Sequence, residues 1–460
     1  MVNPRKSKIV AKIADNKSEI PFLKSLFEAG ADIAWLNTAH QDEPGTLSVI
    51  ERIREVTTHI PIAIDTKGPE VRTKNIETPL PVKAGDKIIF TGDLTYVGPN
   101  VILVSYTNFH KEIPVGTSIF YDDALLEFVV EKKTDRGLEC EVKSNGTIKN
   151  KKSINVPNVH IKLPALSEKD KGFIHFCARH NVDFITHSFV RGREDIEEIR
   201  KILKAYPDYN GKIIAKIENR EGFDNLKEIL QNCDGIMVAR GDLGAEVPLP
   251  EMPFMQKKMV EAAIEAGKYC IVATQVLESM IKNPRPTRAE VTDIANSVLD
   301  GTSAISMSGE TAYGDFPFEA TAMMGRVMQH TELVRDDLIH FTAVPKVKSA
   351  AFSFAKKIVA EGAKKKIKIA LIASQNAELS RAIAAFHPTF IAVPVGLNDV
   401  DARELMLAYA IRPSASGSLG AAVAELREGG MSDAEKIMVV TEKKPGKYEA
   451  KVVALKAIKA

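Results

Sequence analysis

Two stretches of the chain combine residue types that can do chemistry with a spacing that brings them together. They are Ile213-Ile214-Ala215-Lys216-Ile217-Glu218-Asn219-Arg220-Glu221-Gly222 and Gly235-Ile236-Met237-Val238-Ala239-Arg240-Gly241-Asp242-Leu243-Gly244. Each begins as an apolar run of the length expected for a fully buried parallel strand and ends abruptly in charge. Lys216, Glu218, Arg240 and Asp242 then emerge side by side at strand ends, where α/β folds place their reactive groups. Glu218 and Asp242 suit a hard divalent cation, Mg2+ or Mn2+, with coordination positions left for substrate oxygens and water. The ordinary alternative for each acid is a helix cap or an ion pair. Lys216, partly shielded at the end of its strand, can stabilise charge on a transferring phosphoryl group or an enolate. An ion pair with Glu218 or Asp242 is compatible with that role. The glycines of 240–244 let backbone amides approach a carboxylate or phosphate. Metal-assisted phosphoryl or enolate chemistry is the first expectation.

The elements that must position these groups recur along the chain. Apolar runs at 9–11, 33–36, 62–64, 184–186, 213–215, 236–238, 271–273 and 304–307 are mostly followed by helical patterns. Eight such units predict an α/β fold of the (β/α)8 TIM-barrel type. Phe22, Leu23, Leu26 and Phe27 share one helical face, and Ser167-x-x-Asp170 and Thr287-x-x-Glu290 are capping-box signatures. About 120 residues separate Ile64 from Phe184, where a βα connection takes roughly two to six. Thr-, Val-, Ile- and Gly-rich runs within that gap predict an inserted small β-barrel lid domain. The expected division is barrel at 1–70, lid at 71–158, barrel again at 159–340, and a C-terminal α/β domain at 341–460. The last is read from a helix over 346–362 and strands near 367–373, 390–393 and 437–440.

Further candidates sit at strand ends. Thr274 and Ser308 close the seventh and eighth strands, where hydroxyls meet substrate oxygens or simply cap helices. Asp65-Thr66-Lys67-Gly68-Pro69-Glu70-Val71-Arg72 closes the third strand and leads into the lid, with Lys67 and Arg72 adding positive charge and Gly68-Pro69 a stiff exit. His40 follows the second strand, within reach of a nucleotide.

Composition excludes several classes. The 460 residues are 45% hydrophobic and 27% charged with a formal charge of +2, so no global field points to nucleic acid or membrane. Cys140, Cys177, Cys233 and Cys270 are widely spaced, which argues against zinc and a disulfide framework. No run approaches the roughly 20 apolar residues of a membrane span, and the basic N-terminus lacks a secretory pattern. A cytoplasmic protein is expected.

Taken together, the segments 65–73, 155–157, 162–170, 216–222, 237–244, 273–275, 286–300 and 308–312 resemble the pyruvate kinase family. The likeness is strong over the barrel, fades in the insert and is poor beyond about residue 340. It implies phosphoryl transfer from phosphoenolpyruvate to ADP in glycolysis, giving pyruvate and ATP, usually in a homotetramer. It implies that Lys216, Thr274 and Arg72 are catalytic and that Glu218 and Asp242 hold Mg2+. The Gly241 and Asp242 amides and Thr274 would receive the substrate carboxylate. Asn37, His40, Arg72 and Lys152 would lie on the nucleotide side, Lys152 reaching in from the lid. Asn37, Asp65 and Thr66 fall on K+ ligands, and Glu70 matches the acid of potassium-dependent members.

The chain also departs from the pattern. Where the family has Ala-Arg-Leu-Asn-Phe-Ser-His-Gly, it reads Ala34-Trp35-Leu36-Asn37-Thr38-Ala39-His40-Gln41. Trp35 removes the arginine that grips the donor phosphate, and Ala39 removes a hydroxyl from the K+ site. The Gly-Pro-Ala-Ser segment after strand one is Ala14-Asp15-Asn16-Lys17. The C-terminal phosphate loop is Ser374-Gln375-Asn376-Ala377-Glu378, whose acid opposes a sugar-phosphate effector. Weakened donor binding is therefore expected. Two alternatives follow: a paralogue using the same centre as a lyase or decarboxylase on another 2-oxo acid, and a non-catalytic regulatory subunit.

Overall fold

A computed structural model describes residues 5–38, 41–122, 124–157, 159–338, 343–374 and 376–458, with the side chains of 335–338 excepted. His40, Ala39 and Gln375 lie outside the described residues. Eight parallel strands close into a barrel in chain order: Lys8–Ile13, Ile33–Asn37, Ile62–Asp65, Phe184–His187, Lys212–Ile217, Gly235–Ala239, Tyr269–Ala273 and Ala304–Met307. The apolar runs are strands because both faces are covered. One face packs under helices through Leu23, Leu26, Ile53, Ile174 and Ile199. The other fills the lumen with Val10, Ile33, Trp35, Phe184, Ile214, Met237 and Ile271. Both capping boxes form, Ser167 with Asp170 and Thr287 with Glu290.

The insert leaves the third strand at Gly68, whose φ of +72° and close approach to Ser188 exclude a side chain. It forms its own closed barrel of seven strands, from Val71–Lys74 to Ser153–Asn155, around Phe90, Phe109 and Phe128.

The C-terminal sheet runs Ile391–Pro394, Ile369–Ala373, Lys436–Lys444, Lys447–Ala454. Its opening helix is Ala350–Lys364, later than the periodicity suggests because Ser349 caps it by accepting from the Phe352 N–H. The edge strand Lys447–Ala454 has no counterpart in the sequence reading. It is half-exposed and carries lysines, so it lacks the apolar run that marks a buried strand.

This sheet's domain seals the lower, N-terminal end of the barrel. Glu404 is 3% exposed and accepts from Tyr269 Oη (2.9 Å) and Arg381 Nη1 (2.8 Å), with Lys212 Nζ at 3.4 Å. Arg403 reaches Asp183 at 2.6 Å, and Lys8 Nζ donates to the Ile411 carbonyl. Removing one member of such a cluster strands the others in a poorly solvated place. Glu404→Ala should therefore lower unfolding free energy by about 3 kcal/mol, read from chemical denaturation, and a loss below about 0.5 kcal/mol would show that the clamp is only decorative.

Candidate active site

At the upper mouth, alternation along the strands turns Lys12, Asp65, Thr186 and Lys216 inward. Lys216 is 8% exposed. Its Nζ lies 3.0 Å from Glu218 Oε1 and 3.4 Å from Asp65 Oδ2, and it donates to Ser188 Oγ at 2.8 Å. Burial works against this ammonium, but the carboxylates of Asp65, Glu218 and Asp242 outweigh it and hold Lys216 above its ordinary range. Glu218, 1% exposed, also accepts from the Phe189 N–H at 2.6 Å. Burial pushes its carboxyl up to about 7, with Asp242 and Asp65 adding to the rise and Lys216 opposing it.

Asp65 and Glu218 are thus buried together at the mouth, each ion-paired with Lys216. Among the described residues no group of three or more metal-ligating side chains gathers. Glu218 and Asp242 would be a two-carboxylate site completed by substrate and water, and the donor set, all hard oxygen, fits Mg2+ or Mn2+. Asn37 and Asp65 are register partners on adjacent strands. Thr66 is buried beside them, its hydroxyl against His187 Nδ1 (3.0 Å) and its carbonyl accepting from Ser188 Oγ (2.8 Å). Register and chain adjacency set the three residues at one rim, where Asp65 is engaged with Thr186 and Lys216 and Thr66 with His187 and Ser188.

Thr274 and Gln275 have φ of +70° and +51°, and Phe189 of +55°. For a β-branched or bulky residue such backbone is strained, at about 1–3 kcal/mol each. Arg240, expected among the reactive charges, is a brace here. Its guanidinium turns from the mouth to the carbonyls of Ala273 (3.2 Å) and Thr274 (2.6 Å) and to Asp293 (2.7 Å), locking the strained turn. Thr274 Oγ1 accepts from the Gly241 N–H at 2.8 Å. That amide therefore meets Thr274 rather than pointing to an open carboxylate position, and it must exchange partners to receive one. A Cβ at Gly241 would make only ordinary contacts, so packing does not demand glycine there.

On the insert, Arg72 Nε meets Glu70 at 2.6 Å and Lys152 Nζ meets Asp122 at 2.9 Å. Ser153 is the register partner of Arg72, and Lys152 immediately precedes that strand. A cavity of about 570 Å³ opens between insert and barrel, lined by Glu70, Asn155, Phe189, Asp242 and Glu246 among others. Asn155 Nδ2 donates to Glu246 Oε1 across it at 3.0 Å. Trp35 is not a stacking surface for substrate. It is 4% exposed and plugs the lumen below the mouth, its Nε1 without a hydrogen-bond partner among the described residues. Lys12 escaped the sequence reading, although its strand alternates as the strand of Lys216 does.

Fold and site together define a (β/α)8-barrel enzyme with its charged centre beneath an inserted β domain. The family model "Pyruvate kinase, barrel domain" matches residues 4–321. A pyruvate kinase of Borreliella burgdorferi is 44% identical over 409 residues, covering 88% of this chain and 85% of that one. Another, of Clostridium perfringens, is 42% identical over 334 residues, 71% of this chain and 70% of its own. The crystal structure of a pyruvate kinase from Cryptosporidium parvum superposes with a TM-score of 0.91 at 32% identity, covering 98% of this chain and 96% of that one. The chain belongs to the pyruvate kinase family, a family of phosphotransferases. These likenesses favour neither a lyase nor a non-catalytic subunit.

Glu246 supplies a pH test of the contact between insert and barrel. Burial, with Asp242 adding to it and Asn155 opposing, pushes its carboxyl up to about 7. A carboxyl raised in the folded state stabilises fully below its unfolded value, and that contribution is lost as pH rises through the folded one. Melting temperature should therefore fall between about pH 4.5 and pH 7 in part through Glu246. Glu246→Gln should match the native chain at pH 5 and melt a few degrees higher at pH 8; parallel profiles for the two would refute the assignment.

Proposed function

We propose that this chain transfers the phosphoryl group of phosphoenolpyruvate to ADP, giving pyruvate and ATP. The observation that carries the reading is the buried Lys216 ammonium, held charged at the mouth by Asp65 and Glu218. Family membership supplies the substrates. Glu218 and Asp242 would hold Mg2+ or Mn2+, and Asn37, Asp65 and Thr66 K+. When bound, the divalent ion supplies Lewis-acid polarisation of phosphoryl and enolate oxygens.

The chain's own residues do the rest. Lys216 offers a fixed positive charge in a low-dielectric setting, where charge on the transferring phosphoryl and the enolate is stabilised without solvent reorganisation. Thr274 is held by the Arg240 brace beside the Asp242 helix, where its hydroxyl can contact the substrate carboxylate near the face that takes a proton. Arg72 and Lys152 stand on the insert paired with Glu70 and Asp122, and exchanging those partners would turn their charges to the nucleotide phosphates. The cavity beneath the insert gives room for substrate, and closing it excludes water that would hydrolyse the donor. Assembly as a homotetramer and a cytoplasmic location accompany the family reading; among the described residues no helix is long and apolar enough to cross a membrane.

A coupled assay with phosphoenolpyruvate, ADP, Mg2+ and K+ tests the reading. Lys216→Met should lower kcat by about 1000-fold with little change in the Michaelis constant for ADP. Chelation of the divalent ion should abolish turnover, and restoring Mg2+ should recover it. Purified native protein with no ATP formation under these conditions would sink the proposal, as would full activity in Lys216→Met.

A further inference from the structure

The first barrel strand reads Lys8-Ile9-Val10-Ala11-Lys12-Ile13 and the fifth Lys212-Ile213-Ile214-Ala215-Lys216-Ile217, differing only in Val10 against Ile214. In a closed ring of eight these strands face each other across the lumen. Each sends its first lysine to the sealed lower end, Lys8 to the Ile411 carbonyl and Lys212 to Glu404. Each sends its second lysine to the mouth. There the two ammonium groups converge on one side chain. Lys12 Nζ lies 5.3 Å from the centroid of the Trp35 ring and Lys216 Nζ 5.8 Å from it, both within cation–π range.

The partners of the two lysines differ. Lys216 is ion-paired with Asp65 and Glu218. The Lys12 ammonium is half-buried, and among the described residues it meets no carboxylate or carbonyl within bonding distance. Burial and the neighbouring Lys216 push it below the ordinary lysine range, while Asp65 and Asp242 pull the other way. A partly desolvated cation beside a second cation is unfavourable unless an anion completes the site.

Lys12 is also the register partner of Trp35 on the second strand. Trp35 stands where the family pattern has the arginine that grips the donor phosphate. The positive charge absent from one strand therefore stands on the adjacent strand, directly opposite, with the indole as its floor.

We propose that Lys12 is a substrate-binding residue of this enzyme, holding the phosphoryl group of phosphoenolpyruvate in place of the arginine that the second strand lacks. The inference rests on the phosphoryl-transfer reading above and names the residue that grips the donor. On this assignment the donor phosphate lies between Lys12 and Lys216, above the Trp35 ring, and Trp35 is a support that excludes water from beneath it.

Trp35 is the chain's one tryptophan, so its fluorescence reports on both lysines independently of turnover. Phosphoenolpyruvate titrated into the native protein should change that emission saturably. Lys12→Met should raise the concentration needed and lower kcat/KM for phosphoenolpyruvate by about 100-fold, leaving the Michaelis constant for ADP and the circular dichroism unchanged. Lys12→Arg should recover most of the loss. Trp35→Arg should melt lower and gain no donor affinity, because it sets a third cation between two. A Lys12→Met protein with kcat/KM for the donor within about threefold of native overturns the proposal and leaves the proposed function standing. So does a Trp35→Arg protein whose donor affinity rises tenfold or more. Native protein that binds the donor through Lys12 but forms no ATP removes the proposed function and keeps this site. Native protein that neither binds nor turns over phosphoenolpyruvate overturns both.

Discussion

The mouth of the barrel is organised by one constraint: a lysine ammonium kept charged where water is scarce. Lys216 satisfies it with Asp65 from the third strand and Glu218 just beyond its own, and no single segment could supply both. The Asp65 pair is therefore a product of the third, fourth and fifth strands lying side by side. Once it forms, Glu218 and Asp242 stand as two hard-oxygen donors at one rim, the chemistry that suits a hard cation. A purely apolar mouth of the same shape would be easier to fold and chemically inert.

Holding such a cluster requires backbone that the chain does not adopt freely. Phe189 takes left-handed geometry to aim its N–H at Glu218, and Thr274 takes it beside Gly241. Strain of this kind persists only where surroundings over-determine it. Arg240 provides that surrounding for Thr274 through three protein partners. An arginine that reads as a reactive charge in the sequence contributes as a strut.

Much of this architecture is legible without coordinates, because fully buried parallel strands show as apolar runs and helix starts show as reciprocal side-chain caps. The ring, the interrupting β domain and the gathering of Lys216, Glu218 and Asp242 at strand ends follow from those signals. The choice of Glu218 over Asp242 as the ion-pair partner of Lys216 does not. What escapes is information carried by direction rather than residue type. Arg240 could point up or sideways, and only the turn at Thr274 decides. Lys12 sits in a basic N-terminal segment that draws no attention, although comparing its strand with the fifth reveals the match. Trp35 reads as a loss when seen in one strand alone, and as half of a pair once its register partner is known. The edge strand Lys447–Ala454 is missed because an exposed, charged edge carries no apolar run.

The sealed lower end of the barrel bears on how the molecule comes into being on the ribosome. The first strand pairs with Ala304–Met307; the Lys6 and Ser7 amides bond Glu332, and the Lys6 carbonyl bonds the Ala410 N–H. The first strand can pair early with Ile33–Asn37, but its other edge waits for Ala304–Met307 and the Lys6 carbonyl for Ala410. Until then the open lumen and the strand edges beside it are uncovered, the kind of nascent surface that holdase chaperones recognise. Late closure of the ring is the kinetic counterpart of building a reactive centre from groups so distant along the chain.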